Sequence, residues 1–377
     1  MTISKNYDVN LLSKQPHNLM SKSVLYFELL TPVDDERPVF LSGNFNQWLP
    51  DKEELRLNRA EDGKYFLKFP DNIKLPETFE YKYTKGGWNQ VELDEFGNAT
   101  PNRIAKSKGG VFHDFVPHWR LDGQNLPENL MPEVRLISDK FEIPQLGRKR
   151  AVHILLPHNY EKSNKHYPVI YLQDAQNLFG EGSEFGNWSI DKQLAVLAAR
   201  GHGDVIVVAI AHGDEQRFQE YSPYNNERLG KGQGRKYAQF LAKTLKPYID
   251  KNFRTRPDRE STGIGGSSLG GLISIYAGLM FPETFGRLMV FSPSLWISPN
   301  IYFDAIDFLS HLPTRIYVYA GGKESNAMIP NVEKLKQTFE RQGVKKTVIN
   351  LSLNPEGKHS EDQWGKEFPK AIEWLFY

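Results

Sequence analysis

The sequence predicts two domains, an all-β sandwich followed by an α/β domain whose mostly parallel sheet is covered by helices. Three observations predict this architecture. Short apolar runs separated by turn residues fill the first third of the chain, without helical periodicity. From about residue 134, apolar runs typical of strands buried on both faces alternate with stretches of helical period. A glycine-rich segment at 263–271 joins one such run to an apolar helix.

Length and composition limit the possible function classes. A chain of 377 residues is long enough for two or three domains of roughly 150 residues each. The net charge is +1, from 47 basic and 46 acidic residues, and no long run has a single sign, so we expect no nucleic-acid and no membrane partner. Cysteine is absent, which excludes disulfides, thiol catalysis and cysteine-ligated zinc.

The hydropathy of the first residues and of the longest apolar runs indicates where the protein is located. The first residues lack the apolar core of a secretory signal, and no apolar run is long enough to span a bilayer. We therefore expect a cytoplasmic protein, or a periplasmic or secreted one if a signal was removed before this numbering begins.

Residues 1–118 are predicted to form an all-β, immunoglobulin-like sandwich. Turn signals such as Gly43-Asn44 and Asp62-Gly63 separate short runs of alternating apolar residues. These runs lie at 24–30, 39–42, 65–69 and 79–83. Residues 119–133 are predicted to be a linker, because Gly123, Pro127 and Pro132 interrupt them and no periodicity holds.

Residues 134–377 are predicted to form the α/β domain. The predicted strands lie at 134–137, 150–156, 169–172, 205–210, 262–266, 288–291, 316–319 and 348–353. Between several of them apolar residues recur at helical spacing, as at Ile190, Leu194 and Leu197. Strands that alternate with helices favour a mostly parallel sheet covered on both faces.

The segment 266–270 fits the pattern G-x-S-x-G, which places a nucleophilic serine on a sharp turn between a strand and a helix. The turn is strained, so the positions two before and two after the serine must lack bulk. Ser268 fills the central position, whereas Ser267 would put Leu269 at a glycine position. The alternative is a tight turn with only a structural role.

Chain order selects the base that would serve this serine. In hydrolases with such a turn the order is serine, acid, histidine, and His311 and His359 are the histidines that follow Ser268. His311 precedes the predicted strand 316–319, at the strand end opposite to that used for catalysis in open α/β sheets. His359 follows the strand 348–353, on the correct side, and is predicted to be the general base. Its alternative is a solvated loop histidine.

Glu324 is the predicted orienting acid, because it follows strand 316–319 and no other carboxylate occurs before Glu333. Its alternative is a surface glutamate paired with Lys323. In the predicted mechanism Glu324 fixes the tautomer of His359, which takes a proton from Ser268 to form an acyl-enzyme.

The oxyanion of that reaction needs two N–H donors. The first is predicted at Leu269, directly after the serine at the start of the helix, where the helix dipole also favours negative charge. The second is expected from the loop after strand 169–172, with Ala175 as the candidate.

Residues 134–377 also resemble a family of esterases that includes esterase D, the enterobactin esterases and the first family of carbohydrate esterases. The resemblance is carried by the serine turn, by Arg217 with Glu220 and Tyr221, and by further segments. Those segments lie at 171–179, 245–250, 281–286 and 292–296. The resemblance implies an α/β-hydrolase fold and hydrolysis of carboxylic esters, on substrates ranging from siderophore lactones and formyl thioesters to acetyl or feruloyl groups of polysaccharides.

Four residues are predicted to contact the substrate. Arg217 and Tyr221 belong to the resembling segments, and Trp188 and Trp296 lie in or beside loops expected at the edge of the site. Plain packing is the alternative for each tryptophan. Ala175 occupies a position where relatives often carry glycine, and a positive φ there would strain an alanine.

The first domain resembles the starch- and glycogen-binding type of carbohydrate-binding module, through the segments 40–48 and 80–88 and through Asn102 with Arg103. The resemblance implies that Trp48 and Trp88 stack on sugar rings while Lys82 and Asn102 bond the hydroxyls, which would make an α-glucan a partner. An indole covers the apolar face of a pyranose well. As alternatives, the tryptophans are core residues, or the domain packs on the α/β domain and shapes its cleft.

No cofactor and no metal are expected. His153 and His158 lie five residues apart, as do His113 and His118, and this spacing matches no metal-ligand pattern. The leading hypothesis is a serine esterase acting on acyl esters of carbohydrates or related small molecules. The alternatives are a siderophore or other small-ester hydrolase with the sandwich as a lid, and a non-catalytic glycan-binding protein.

Overall fold

The structure is a computed structural model that describes residues 25–32, 37–61, 63–95, 99–120, 130–199, 201–225, 230–307, 312–341 and 346–377. The chain divides into two compact units, Met1–Asp122 and Gly123–Tyr377. His311 and most of the predicted linker lie outside the described residues. Within the described part of the chain, no helix is both long and apolar enough to cross a membrane.

The first unit is all β. Its strands are β1 (Leu25–Leu30), β2 (Phe40–Gly43), β3 (Asn58–Glu61), β4 (Lys64–Lys68), β5 (Thr78–Thr84), β6 (Glu92–Leu93), β7 (Arg103–Lys106), β8 (Gly110–Phe115) and β9 (His118–Trp119). One sheet has the order β3-β4-β1-β8, a second has the order β2-β5-β7, and β6 pairs with β9.

The two main sheets of this unit share one hydrophobic core. Alternate residues of β1 point inward, so that Leu25, Phe27 and Leu29 are buried. Phe27 meets Tyr81 of the other sheet edge-on, with ring centroids 5.3 Å apart. This inward alternation of apolar residues is the pattern that predicts a sandwich. Residues of both sheets contribute to the shared core.

The second unit contains one eight-stranded sheet. Its strands are β10 (Glu133–Ile143), β11 (Arg148–Leu156), β12 (Val169–Gln173), β13 (Ile206–Ile210), β14 (Thr262–Ser267), β15 (Arg287–Phe291), β16 (Thr314–Gly321) and β17 (Thr347–Asn354). Their order is β10-β11-β13-β12-β14-β15-β16-β17. The pairings from β13 to β17 are parallel and those of β10 and β11 are antiparallel, which confirms the predicted mostly parallel sheet.

Helices lie on both faces of that sheet. They are α1 (Ile190–Ala199), α2 (Arg217–Tyr221), α3 (Gly234–Phe240), α4 (Lys246–Asn252), α5 (Leu269–Met280), α6 (Ile301–Asp307), α7 (Met328–Arg341) and α8 (Glu361–Phe376). A π-helical segment, Leu241–Leu245, joins α3 to α4. Residues of β12 alternate between two hydrophobic clusters, with Tyr171 packing in the cluster of α3 to α7 and Leu172 in the cluster of α1 and α8.

Each run predicted as a strand overlaps a strand of the structure. The predicted linker is too long at both ends. Trp119 ends β9 and Glu133 begins β10, so pairing extends into both ends of the range 119–133. The five strands β12, β14, β15, β16 and β17 are parallel neighbours in the sheet. Their carboxyl ends therefore meet at one edge, and the loops that follow them form the candidate site.

Candidate active site

Ser268 lies at the sharp turn between β14 and α5, with φ 55° and ψ −119°. A positive φ is uncommon for a residue with a side chain and marks local strain. The flanking glycine positions have little room for a side chain. A Cβ on Gly266 would lie 2.9 Å from the carbonyl carbon of Gly270, and one on Gly270 would lie 3.1 Å from a carboxylate oxygen of Asp174. The turn therefore has the close packing that the G-x-S-x-G spacing predicts.

Glu324 and His359 are joined by a short hydrogen bond, with Nδ1 of His359 2.6 Å from Oε2 of Glu324. The Glu324 side chain is 1% exposed and that of His359 is 40% exposed. The other oxygen of Glu324 accepts hydrogen bonds from the backbone N–H of Gly321 and from the hydroxyl of Ser292, each at 2.6 Å. Both carboxylate oxygens are thus held in place, which orients the imidazole.

Ser292 and Trp364 form a second layer of support behind Glu324. Ser292 is fully buried, and its Oγ accepts a hydrogen bond of 2.9 Å from Nε1 of Trp364 while donating to Glu324. The Trp364 ring also meets His359 edge-on, with centroids 4.8 Å apart. Sequence reasoning assigned neither residue a role. The available signal for Ser292 was the resembling segment 292–296, and Trp364 had none.

Ser268, Glu324 and His359 line one cavity of about 410 Å³. Its other lining residues are Pro293, Ser294, Trp296, Ser325, Ala327, Met328 and Asn331. Trp296 is 68% exposed, so the position predicted for it at the edge of the site agrees with this cavity. The structure thus brings together the predicted nucleophile, base and acid.

The hydroxyl of Ser268 contacts Ser294, with 3.1 Å between the two Oγ atoms. Among the described residues, no hydrogen bond joins Ser268 to His359 directly. Such a bond often tightens only when substrate is bound. Ser294 is a residue that sequence reasoning did not single out.

Asp174 begins the loop after β12 and takes a left-handed conformation, with φ 63° and ψ 51°. Ala175 then starts a single helical turn, Ala175–Asn177, and needs no positive φ. The strain expected at Ala175 therefore falls on Asp174 instead. Leu269, the other predicted oxyanion donor, is the first residue of α5, where backbone N–H groups are unpaired within the helix.

Arg217 holds the loop that carries Ala175. Its guanidinium donates to both carboxylate oxygens of Asp174, from Nε at 2.7 Å and from an Nη at 2.8 Å. Burial lowers the pKa of Arg217, but the hydrogen bonds and charge of Asp174 outweigh burial and raise the pKa above its usual value. Arg217 does not line the cavity, so its predicted substrate contact is corrected to a role in fixing the loop.

Tyr221 and Trp188 are core residues, which corrects their predicted substrate contacts. Tyr221 is fully buried against Tyr237, and burial raises the pKa of its hydroxyl well above the usual value. Trp188 is 2% exposed and stacks on Phe291, with centroids 5.3 Å apart. Packing, the alternative interpretation for Trp188, is what the structure has.

A buried carboxylate lies beside this site. Glu361 is the first residue of α8, two residues after His359, and it accepts a hydrogen bond of 3.1 Å from the Asn177 amide. Burial raises its pKa, and the positive charge that His359 can carry opposes that shift. No group of three or more histidine, aspartate and glutamate side chains within the described ranges is arranged to hold a metal ion.

The first unit has a cavity of its own, of about 320 Å³, which Trp48, Lys82, Trp88 and Asn102 all line. The two indole rings lie 6.0 Å apart at an angle of 53°. Trp88 is 40% exposed and Trp48 is half-buried, so neither is a core residue. The alternative of tryptophans inside the sandwich core is therefore wrong.

The side chains of Lys82 and Asn102 form hydrogen bonds within the chain. The ammonium of Lys82 donates to the Thr100 carbonyl at 2.6 Å, to the Thr100 hydroxyl at 2.8 Å and to the Pro101 carbonyl at 3.2 Å. An ammonium has three N–H donors, so in this arrangement none remains for a sugar hydroxyl. The side-chain amide of Asn102 donates to Glu80 at 2.8 Å. Lys82 thus supports the 100–101 backbone in this structure, and its contact with a sugar hydroxyl stays a prediction.

The model of the family described as "Putative esterase" matches residues 143–375. Among curated proteins, an iron(III) salmochelin esterase of Escherichia coli O6:H1 is 28% identical over 370 residues, which are 84% of this chain and 83% of that protein. An endo-1,4-beta-xylanase/feruloyl esterase of Xylanibacter ruminicola is 28% identical over 209 residues, which are 52% of this chain and 26% of that protein.

Solved structures extend the likeness to the fold. The enterobactin esterase of Shigella flexneri superposes with a TM-score of 0.50 at 16% identity, covering 93% of this chain and 92% of that one. A ferulic acid esterase superposes with a TM-score of 0.52 at 19% identity, covering 66% of this chain and 98% of that one. The second unit therefore has the fold of these α/β-hydrolase esterases.

Proposed function

This chain belongs to the esterase family whose model it matches over residues 143–375, and from that premise we propose that it is a serine esterase that acts through an acyl-enzyme. The family's reaction is the hydrolysis of carboxylic esters. The observation that carries the proposal is the shared cavity of Ser268 and His359, with the His359 imidazole held at 2.6 Å by the buried Glu324.

In the proposed mechanism Glu324 accepts a hydrogen bond from Nδ1–H of His359, so that Nε2 is free to act as a base. As His359 takes the Ser268 proton, the serine oxygen bonds to the acyl carbon and the carbonyl oxygen becomes an oxyanion. The intermediate then releases the alcohol, which receives the proton from His359. Water attacks the acyl-enzyme by the same route, releasing the acid and restoring Ser268.

The oxyanion is proposed to bind the N–H groups of Leu269 and Ala175. Leu269 begins α5, so its N–H lies at the positive end of a twelve-residue helix. Ala175 begins the turn that the Asp174–Arg217 pair anchors. Donors that are fixed before the reaction stabilise the developing charge without reorganisation.

The proposed substrates are acyl esters of carbohydrates or related small molecules. The feruloyl esterase and the salmochelin esterase among the relatives support an ester substrate and keep a siderophore ester as the alternative. A cavity of about 410 Å³ beside the exposed Trp296 suits a compact, partly aromatic group.

The test is hydrolysis of a panel of 4-nitrophenyl and feruloyl esters by wild type and by Ser268→Ala. The variant should lose roughly 10⁴-fold or more in turnover. Ser267→Ala is the matched control, since Ser267 is the buried neighbour at the end of β14 and should retain activity. A fluorophosphonate should label the peptide that contains Ser268 in wild type only. Turnover by Ser268→Ala at the wild-type rate would contradict the proposal.

A second proposed function is α-glucan binding by the first unit. The observation that favours it is that Trp48 and Trp88 expose their rings in one cavity. Trp88→Ala should weaken retention on an α-glucan matrix and leave small-ester turnover unchanged, since stacking contributes about 0.5–1.5 kcal/mol beyond buried area. Leu49→Ala, at an exposed residue next to Trp48, is the control. Loss of turnover with unchanged retention would instead support the lid alternative.

A further inference from the structure

The nucleophile of the proposed site has an alternative partner in Ser294. The two hydroxyls lie 3.1 Å apart, and the backbone N–H of Ser294 also donates to the carbonyl of Ser268 at 3.0 Å. Ser294 is 6% exposed and lines the same cavity as Ser268 and His359. The contact between these serines is therefore fixed by both backbone and side chain.

Catalysis requires this contact to change. The Ser268 hydroxyl has one O–H, so it cannot donate to His359 and to Ser294 at once. As its oxygen bonds to the acyl carbon it also becomes an ester oxygen, which is a weak acceptor for the Ser294 hydroxyl. Ser294 is then a buried polar group that needs a new hydrogen-bond partner. The cavity contains the substrate at that moment, so the substrate can supply the partner.

We infer that Ser294 is a specificity-determining residue that favours esters carrying a hydroxyl within two carbons of the ester group. Such a hydroxyl exchanges hydrogen bonds with Ser294 as Ser268 is released to His359. An ester with only hydrocarbon at that position leaves Ser294 unsatisfied. This inference rests on the proposed function, because it needs Ser268 to be the nucleophile.

The loop that carries Ser294 suits this role. Ser292, two residues earlier, supports the acid Glu324, while Ser294 contacts the nucleophile, so one short segment touches both. The left-handed backbone of Ser292, with φ 44°, turns the chain between them. Because the backbone N–H of Ser294 is bonded to the Ser268 carbonyl, its side chain is held beside the nucleophile, and a missing hydrogen bond there is costly.

The test uses matched esters of one chain length. On the alcohol side, 2-hydroxyethyl butanoate is compared with propyl butanoate. On the acyl side, propyl 2-hydroxybutanoate is compared with propyl butanoate. The wild-type protein should prefer the hydroxylated ester in at least one pair, by about 5- to 150-fold in kcat/KM beyond the preference of Ser294→Ala. The ratio between variants cancels the intrinsic reactivity of each ester.

Two controls separate the possible failures. Ser294→Thr keeps the hydroxyl and should keep the preference, while thermal unfolding of Ser294→Ala shows whether the variant is folded. If Ser268→Ala hydrolyses these esters as fast as wild type, the proposed function fails. If hydrolysis depends on Ser268 but folded Ser294→Ala keeps the wild-type preference in both pairs, the inference about Ser294 is overturned.

Discussion

The support of Glu324 by Ser292 leads to a quantitative prediction. Ser292→Ala removes the hydroxyl that donates to the carboxylate at 2.6 Å and that accepts from Trp364 at 2.9 Å. Gly321 still donates to the same carboxylate oxygen, so Glu324 stays buried but can rotate. The imidazole of His359 follows that rotation, because its Nδ1 is bound to the other oxygen.

The size of the effect follows from the type of bond. A hydrogen bond to a charged group contributes about 1.5–3 kcal/mol. At about 1.4 kcal/mol per factor of ten, Ser292→Ala should lower kcat by roughly 10- to 150-fold. KM should change little, since Ser292 does not line the cavity at Ser268. Stability should also fall, by about 1–3 kcal/mol, because the Trp364 N–H loses its buried acceptor.

The assay is steady-state hydrolysis of the best 4-nitrophenyl ester from the panel, together with denaturant unfolding. Trp364→Phe is the matched control, because it removes the N–H donor but keeps a ring against His359 and leaves the bond from Ser292 to Glu324. Its loss in kcat should be smaller than that of Ser292→Ala. A folded Ser292→Ala protein whose kcat stays within about twofold of wild type would refute the argument, because a bond of this strength predicts at least tenfold.

Three further predictions concern the surroundings of the site. Arg217→Lys should lower kcat/KM about tenfold in ester hydrolysis, because lysine cannot replace the two parallel hydrogen bonds to Asp174 that fix the oxyanion loop; wild-type rates would exclude this role. Glu361→Gln should unfold at a higher temperature than wild type at pH 8. Burial raises the folded-state pKa of Glu361, so the protonated carboxyl fits the folded protein best and its contribution to stability is lost as the pH rises through that pKa. The difference in unfolding temperature between Glu361→Gln and wild type should therefore close below about pH 4. Gly266→Ala should lower the free energy of unfolding by about 1–3 kcal/mol in a denaturant titration, because its Cβ would meet the backbone of Gly270 at 2.9 Å.

Much of the second unit was predictable because its central strands are buried on both faces. A continuous apolar run, such as that of β12, predicts a buried strand whichever element packs against it. The rule that ligands bind at the carboxyl ends of parallel strands then placed Ser268, Glu324 and His359 on one edge. The structure shows them in one cavity, and their catalytic roles remain the proposal made above.

The errors arose where position depends on distant packing. Trp188 lies in a loop near the site, but its ring turns inward to stack on Phe291, about a hundred residues later in the chain. From the sequence alone, Arg217 could equally bind a substrate carboxylate, and only the structure shows that its guanidinium is already paired with Asp174. Charged pairs separated in sequence leave no periodic pattern, so sequence reasoning cannot assign them.

Other elements have little signal of any kind. The four residues of β3, Asn58–Glu61, are all exposed and include no alternation that would predict a strand. Ser292 and Ser294 are common small polar residues, and their roles come from contacts with Glu324 and Ser268. The three acceptors around Lys82 are equally invisible in the sequence, because two of them are backbone carbonyls.

The sheet places the proposed catalytic groups in regions that differ in their resistance to local unfolding. Ser268 follows β14, a fully buried strand held between two neighbours, whereas His359 follows β17, the last strand of the sheet, whose side chains are mostly half-buried or exposed. Outer strands open more readily than central ones, without global unfolding. On warming, His359 should therefore leave its position while Ser268 keeps its own, so that hydrolysis fades reversibly before the circular dichroism of the whole chain changes. Heat tolerance of the activity would then be improved at the 347–354 edge and hardly at all at the serine turn.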